Sequence, residues 1–181
     1  MSINADPNWT TSPECLEYIH WRIPPTCGSI LELGSGFSTQ WFTDQLHFVT
    51  AIEHDPLFIN IVPGVTYIHA PIELYGPDNP FPASIQKRTG NQVGWYNRAI
   101  LKENLADKDW HLIFVDGPPN NFGRAGFFIN LDIFNTNCPI VFDDMHRIND
   151  LYIAQRCAQK LQRKLTIHND RNNKRPFGVI E

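Results

Sequence analysis

The chain has 181 residues, 42% of them hydrophobic and 19% charged, and a formal net charge of −4. That length suits one domain with a sizeable core. The acidic balance argues against a nucleic-acid partner, which would need a basic surface to neutralise phosphates. No window reaches the roughly 18 apolar residues of a membrane span.

Residues 1–11 are polar, lack the apolar stretch of a signal peptide and are expected as a loose arm. Cys15, Cys27, Cys138 and Cys157 are too far apart for a Cys-x-x-Cys pair or a metal finger. A cytoplasmic location with reduced thiols is expected. Ser12 as N-cap, Pro13 at the first helical position and Glu14 in the first turn open a helix. Leu16 and Ile19 give it an apolar face, and Pro24-Pro25 stop it. A strand over 29–33 leads into Gly34-Ser35-Gly36, a turn at which a ligand can lie on bare backbone. A helix over 38–46, a strand over 48–53, a short helix from Pro56 and a strand over 65–69 follow. That alternation is one mononucleotide-binding half of a doubly wound sheet.

Residues 71–92 break the rhythm. Pro71, Pro77, Pro80, Pro82, Gly76 and Gly90 exclude a regular element, and a long loop beyond a strand's C-terminal end predicts a lid or substrate loop. A helix over 93–105 carries Trp95 and Tyr96 at its start. Then come a strand over 110–115 ending in Asp116-Gly117, a helix over 124–134 and a strand over 139–142. That strand ends in Asp143-Asp144-Met145-His146-Arg147, ahead of a helix over 149–162. Lys160, Arg163, Lys164, Arg171, Lys174 and Arg175 read as a solvated face. Strands over 165–168 and 177–180 are joined too briefly to be anything but antiparallel. The expected fold is α/β: one domain over 1–181, a doubly wound, mostly parallel, seven-stranded Rossmann-like sheet closed by a C-terminal antiparallel hairpin.

Four of these strands end in carboxylates: Glu32, Glu53, Asp116 and the Asp143-Asp144 pair. Strand ends of a parallel sheet share one edge, so the carboxylates converge on one crevice. Glu53 lies about twenty residues past the first glycine, where an acidic residue can accept hydrogen bonds from ribose hydroxyls. That suits a nicotinamide dinucleotide and an adenosyl cofactor alike. Thr39 stands where the dinucleotide fingerprint has its third glycine. Glu32 beside the turn favours a cationic ligand group, such as the amino group and sulfonium of S-adenosylmethionine.

Glu32-Leu-Gly-Ser-Gly-Phe-Ser-Thr39 resembles motif I of the class I S-adenosylmethionine-dependent methyltransferases. Ile52-Glu53-His54-Asp55 is similar to their ribose-binding motif, Phe114-Val115-Asp116-Gly117 to the motif ending their fourth strand, and the terminal hairpin to their sixth and seventh strands. The resemblance implies cofactor contacts from Glu32, Gly34, Ser35, Gly36, Ser38, Thr39, Glu53, His54 and Asp116. Glu53 would hold the ribose diol and Glu32 would support the methionine end. The adenine contact falls to residues 70–73, as an apolar surface or Glu73.

Methyl transfer to a hydroxyl is an in-line displacement that needs positioning and removal of one proton, by a base or a metal. Asp116 and His146 are the candidate catalytic groups. Asp116, Asp143 and Asp144 resemble the Mg2+ ligands of catechol-type O-methyltransferases, and hard oxygens suit that ion. Val115-Asp-Gly-Pro118, Gly123-Arg124 and Phe142-Asp-Asp-Met-His-Arg147 resemble the methyltransferases acting on glucuronic acid side chains of xylan. That second likeness implies Arg124 or Arg147 holding an acidic substrate; Trp95 and Tyr96, aromatic side chains beside the lid, read either as core or as suited to a sugar or planar acceptor. The expected partner is therefore a small-molecule or saccharide acceptor, with no nucleic acid and no membrane; a homodimer stays open. Two other readings remain open: an NAD(P)-dependent oxidoreductase, and a non-catalytic domain that binds the adenosyl cofactor.

Overall fold

The computed structural model describes residues 11–24, 27–75, 94–171 and 174–181. Residues 1–10 of the expected arm and most of the expected lid, residues 76–92, lie outside these. Seven strands form one sheet: β1 (Ser29–Leu33), β2 (Phe48–Glu53), β3 (Thr66–His69), β6 (Leu112–Val115), β7 (Ile140–Phe142), β8 (Leu165–His168) and β9 (Phe177–Ile180). Their order is β3-β2-β1-β6-β7-β9-β8. Pairing is parallel from β3 through β7, and β9 is antiparallel to both β7 and β8. The expected doubly wound sheet with its terminal hairpin is the observed one.

Strand periodicity assigns the two faces. Ile30, Val49, Phe114, Val141 and Val179 pack with Cys15, Leu16 and Ile19 of α1 (Pro13–Arg22) and Phe42 of α2 (Phe37–Asp44). Their neighbours Leu31, Leu33, Ile113, Val115, Ile140 and Phe142 turn to the other face. There they meet α3 (Arg98–Leu105), α4 (Ala125–Ile129) and α5 (Ile148–Leu161). The strands are apolar on both sides because helices cover both. Ser12 caps α1 by accepting from the Cys15 N–H at 3.3 Å, with Pro13 in its first turn.

Two expectations need correction. Residues 72–74 and 94–96 are not loop and helix start. Ile72–Leu74 (β4) and Gly94–Tyr96 (β5) form a separate antiparallel ladder, with Ile72 opposite Tyr96 and Leu74 opposite Gly94. The helix begins only at Arg98, because Asn97 accepts from the Ile100 N–H at 2.8 Å and caps it. The helix expected over 124–134 ends at Ile129, and a 3-10 turn, Leu131–Ile133, takes over.

Candidate functional site

The order reverses between β1 and β6, and at such a switch point a doubly wound sheet opens its ligand crevice. Gly34 there has φ +99, left-handed backbone that disfavours a side chain. Gly117, at the end of the neighbouring β6, lies against it. A Cβ on Gly117 would stand 2.3 Å from the Tyr96 hydroxyl and 2.9 Å from the Gly34 nitrogen. Above Gly36, by contrast, nothing among the described residues comes within 4 Å of a built Cβ, which leaves ligand room at the start of α2.

Glu32 shares the α1–α2 face of β1 with Ile30, so its carboxylate points under α2. Ser38 Oγ donates to Glu32 Oε1, and Thr39 Oγ1 donates to Oε2 at 2.7 Å. Thr39 Oγ1 also accepts the Gly36 N–H at 2.8 Å, which wires the glycine turn to the buried acid. Burial pushes the Glu32 carboxyl up to about 8, the two hydroxyl donors opposing the shift. Glu32 is fully buried and supports the turn from beneath.

Glu53 reaches the same turn from β2. Its Oε2 accepts the Ser35 N–H at 3.0 Å, and its Oε1 accepts the N–H groups of His54 and Asp55 at 2.6 and 2.8 Å. Ser35 Oγ lies 3.2 Å from Glu53 Oε2 and 2.9 Å from the Phe58 carbonyl, with one proton for either. The His54 ring stands edge-on to Phe122 and Tyr96, with centroids 5.6 and 6.4 Å away. Glu32, Gly34, Ser35, Gly36, Ser38, Thr39, Glu53 and His54 are thus one connected corner.

Asp116, Asp143 and Asp144 offer carboxylate oxygens within 4.8 Å of one another. Arg124 stands among them. Its Nη2 is 3.1 Å from Asp116 Oδ1 and 3.0 Å from Asp144 Oδ2, and its Nη1 is 3.7 Å from Asp150 Oδ2. Arg147 Nη1 approaches Asp144 Oδ2 at 2.7 Å and Asp150 Oδ2 at 3.7 Å. Asp144 Oδ1, buried without a hydrogen bond among the described residues, faces His146 Nδ1 across 3.9 Å. Asp143 Oδ1 accepts the Asp144 N–H at 2.8 Å, stabilising a left-handed Asp144 at φ +62. Asp116 is the member nearest the crevice, with 28% of its side chain exposed. Burial and then the Asp143 charge push its carboxyl up to about 7, against the pull of Arg124. Burial likewise raises Asp143 and Asp150. Oxygen chemistry suits Mg2+, but a guanidinium already bridges two of the three carboxylates, so the residues do not fit the metal.

Three placements depart from expectation. Arg124 is 2% exposed and both its Nη groups are engaged with the chain's own acids, so it does not present itself to an acidic substrate. Trp95 is 1% exposed: its indole lies on Gly126, where a Cβ would be 2.3 Å from the ring, and packs against Phe127. It is core. Tyr96 is equally buried, but its hydroxyl lies beside Gly117 without a hydrogen bond among the described residues. Arg147, partly exposed, and His146, with 40% of its side chain exposed, stay at the rim. Asp150 is the member the sequence did not announce. An acid in a helix's first turn, three residues after Arg147, is its only signal, and it reads equally as dipole compensation.

No protein-family model matches the sequence, and no curated protein is significantly similar to it. Solved structures do match in shape. A methyltransferase from Pyrococcus furiosus aligns at TM-score 0.53 and 16% identity, over 99% of this chain and 87% of its own. A TehB-like SAM-dependent methyltransferase from Corynebacterium glutamicum aligns at 0.51 and 15%, over 92% and 85%. Aeropyrum pernix fibrillarin, solved with natively bound S-adenosyl-L-methionine, aligns at 0.50 and 7%, over 87% and 69%. The chain has the Rossmann-like fold of the class I S-adenosylmethionine-dependent methyltransferases.

Proposed function

We propose that the chain is an S-adenosylmethionine-dependent methyltransferase that methylates a hydroxyl of a small molecule or saccharide. One observation carries the cofactor: the carboxylates of both β1 and β2 end on a single glycine turn, Glu32 through Thr39 and Glu53 through Ser35. A carboxylate oxygen holding one N–H keeps a lone pair for a ribose hydroxyl. The acidic surroundings favour the positive amino and sulfonium groups and disfavour a pyrophosphate, which speaks against the dinucleotide reading. Among the described residues no side chain stands within 4 Å of a Cβ built on Gly36, which suits the cofactor.

For the acceptor step, Asp116 is the base. Its carboxyl sits up at about 7 at the crevice, so near neutral pH it is half available to take a hydroxyl proton as the oxygen attacks the methyl carbon. Arg124 holds Asp116 Oδ1, and among the described residues no other side chain donates to that carboxylate. S-adenosylmethionine supplies the activated methyl group; the chain's part is alignment and proton removal. His146 and Arg147 at the rim suit acceptor contacts.

Calorimetry with S-adenosylmethionine and S-adenosylhomocysteine tests the cofactor. Binding by the wild type that Glu53→Ala weakens supports it; no binding, or binding that Glu53→Ala leaves unchanged, sinks it. Transfer of labelled methyl from the cofactor across a panel of uronic acids, neutral sugars and phenols then identifies the acceptor.

A further inference from the structure

Four carboxylates, those of Asp116, Asp143, Asp144 and Asp150, meet where β6 and β7 end and α5 begins. Against them stand two guanidinium groups, so the cluster is acidic enough to draw a further cation, and its hard oxygens are those a divalent metal takes. The place such an ion would occupy is filled. Arg124 Nη2 bridges Asp116 Oδ1 and Asp144 Oδ2 at 3.1 and 3.0 Å. The backbone carbonyls of Asp116 and Asp143 accept from the same guanidinium at 2.6 and 2.8 Å, which fixes its plane. Arg147 closes on Asp144 Oδ2 from the other side at 2.7 Å. Five oxygens hold a side chain that is almost wholly buried and cannot give up its proton. A metal sharing those carboxylates would press directly against a fixed positive charge.

We infer that Arg124 is the resident cation of this carboxylate cluster, occupying the position of a divalent metal and closing the strand-end site to such ions. The difference matters chemically. A metal holds its carboxylate ligands ionised, whereas a carboxylate bonded to one arginine N–H can still accept a proton. The arrangement therefore keeps Asp116 oriented and chargeable at once. The inference rests on the cluster alone and stands whether or not the chain transfers methyl groups.

Mn2+ is the probe, read by loss of the free-ion paramagnetic signal. Wild-type protein is expected to leave that signal undiminished at millimolar Mn2+. Arg124→Ala, which empties the bridge, is expected to gain a Mn2+ site and a Mn2+-dependent rise in Tm, and adding Asp143→Asn should remove both. Mn2+ bound by the wild type and lost in Asp143→Asn would overturn the inference, as would a folded Arg124→Ala that binds none. If Arg124→Ala does not fold, Arg124→Gln takes its place, and the wild-type titration decides by itself in either event. S-adenosylmethionine titrated into the same samples reports separately on the cofactor reading.

Discussion

The Glu53 carboxylate accepts the backbone N–H of Ser35 at 3.0 Å, tying the end of β2 to the turn that leaves β1. Strand pairing brings the two together, since Leu33 lies opposite Ile52. Removing the carboxylate frees that partly buried N–H and those of His54 and Asp55. Glu53→Ala is expected to weaken S-adenosylmethionine binding by about 10- to 100-fold, the worth of a hydrogen bond to a charged group. Stability should fall by about 1–3 kcal/mol. Glu53→Gln, which keeps an acceptor oxygen, should fall between. Calorimetry and urea unfolding of the three proteins measure this.

Glu32 sets a pH dependence of stability. Its folded carboxyl sits up at about 8, above an unfolded value near ~4.3. Between these values the folded state binds more protons than the unfolded one, so stability falls as pH rises. Below the unfolded value the contribution is fully present, and above about 8 it is gone. Glu32→Gln cannot ionise and keeps an acceptor oxygen for one of the two hydroxyls. Its urea midpoint should decline less across this window, a difference on the order of a few kcal/mol in stability at the alkaline end. Equal slopes for the two proteins would contradict the assignment.

Gly117 has no space for a methyl group. Gly117→Ala would drive a carbon into the Tyr96 hydroxyl and the Gly34 nitrogen, and is expected to cost about 1–3 kcal/mol. Tyr96→Phe alone deletes a buried hydroxyl that has no hydrogen-bond partner among the described residues and should be neutral or slightly stabilising. Combined, the pair should recover part of the loss, because the hydroxyl is the nearest obstruction. Thermal melts of the two single variants and the double variant give the coupling.

Trp95 separates core from acceptor site. As a buried ring on Gly126 and Phe127 it predicts that Trp95→Ala costs about 3–5 kcal/mol. A variant of wild-type stability with a raised KM for acceptor would return the indole to the substrate side.

For Asp116, the rate of methyl transfer should rise with pH through about 7 and level off above, because the base works deprotonated. Asp116→Asn should lower kcat by about 10²–10⁴ and erase that limb. Initial rates with labelled cofactor over the pH range test both.

Periodicity and punctuation made most of the sheet legible. Continuous apolar strands, acids at their ends and Ser12-Pro13 at a helix start each have a local physical cause, so Glu32, Glu53 and Asp116 could be placed at one edge from spacing. What stayed hidden was tertiary. Gly94-Trp95-Tyr96 reads as a helix start because nothing local announces Ile72–Leu74 as its strand partner. Arg124 reads as a free cation because the three carboxylates that claim it come from the ends of β6 and β7 and from α5. Carboxylate spacing alone suggests a metal; only the arginine's position in three dimensions removes it.

The contact of Gly34 with Gly117 limits how the crevice can be redesigned. Its floor is two backbones touching, with no side chain left to shorten. On the proposed cofactor reading, a donor carrying a group bulkier than methyl cannot be accommodated by carving downward. Such room has to come from the walls, at the His146–Arg147 rim or beside Phe58, and variants selected for enlarged donors should accumulate there while both glycines stay.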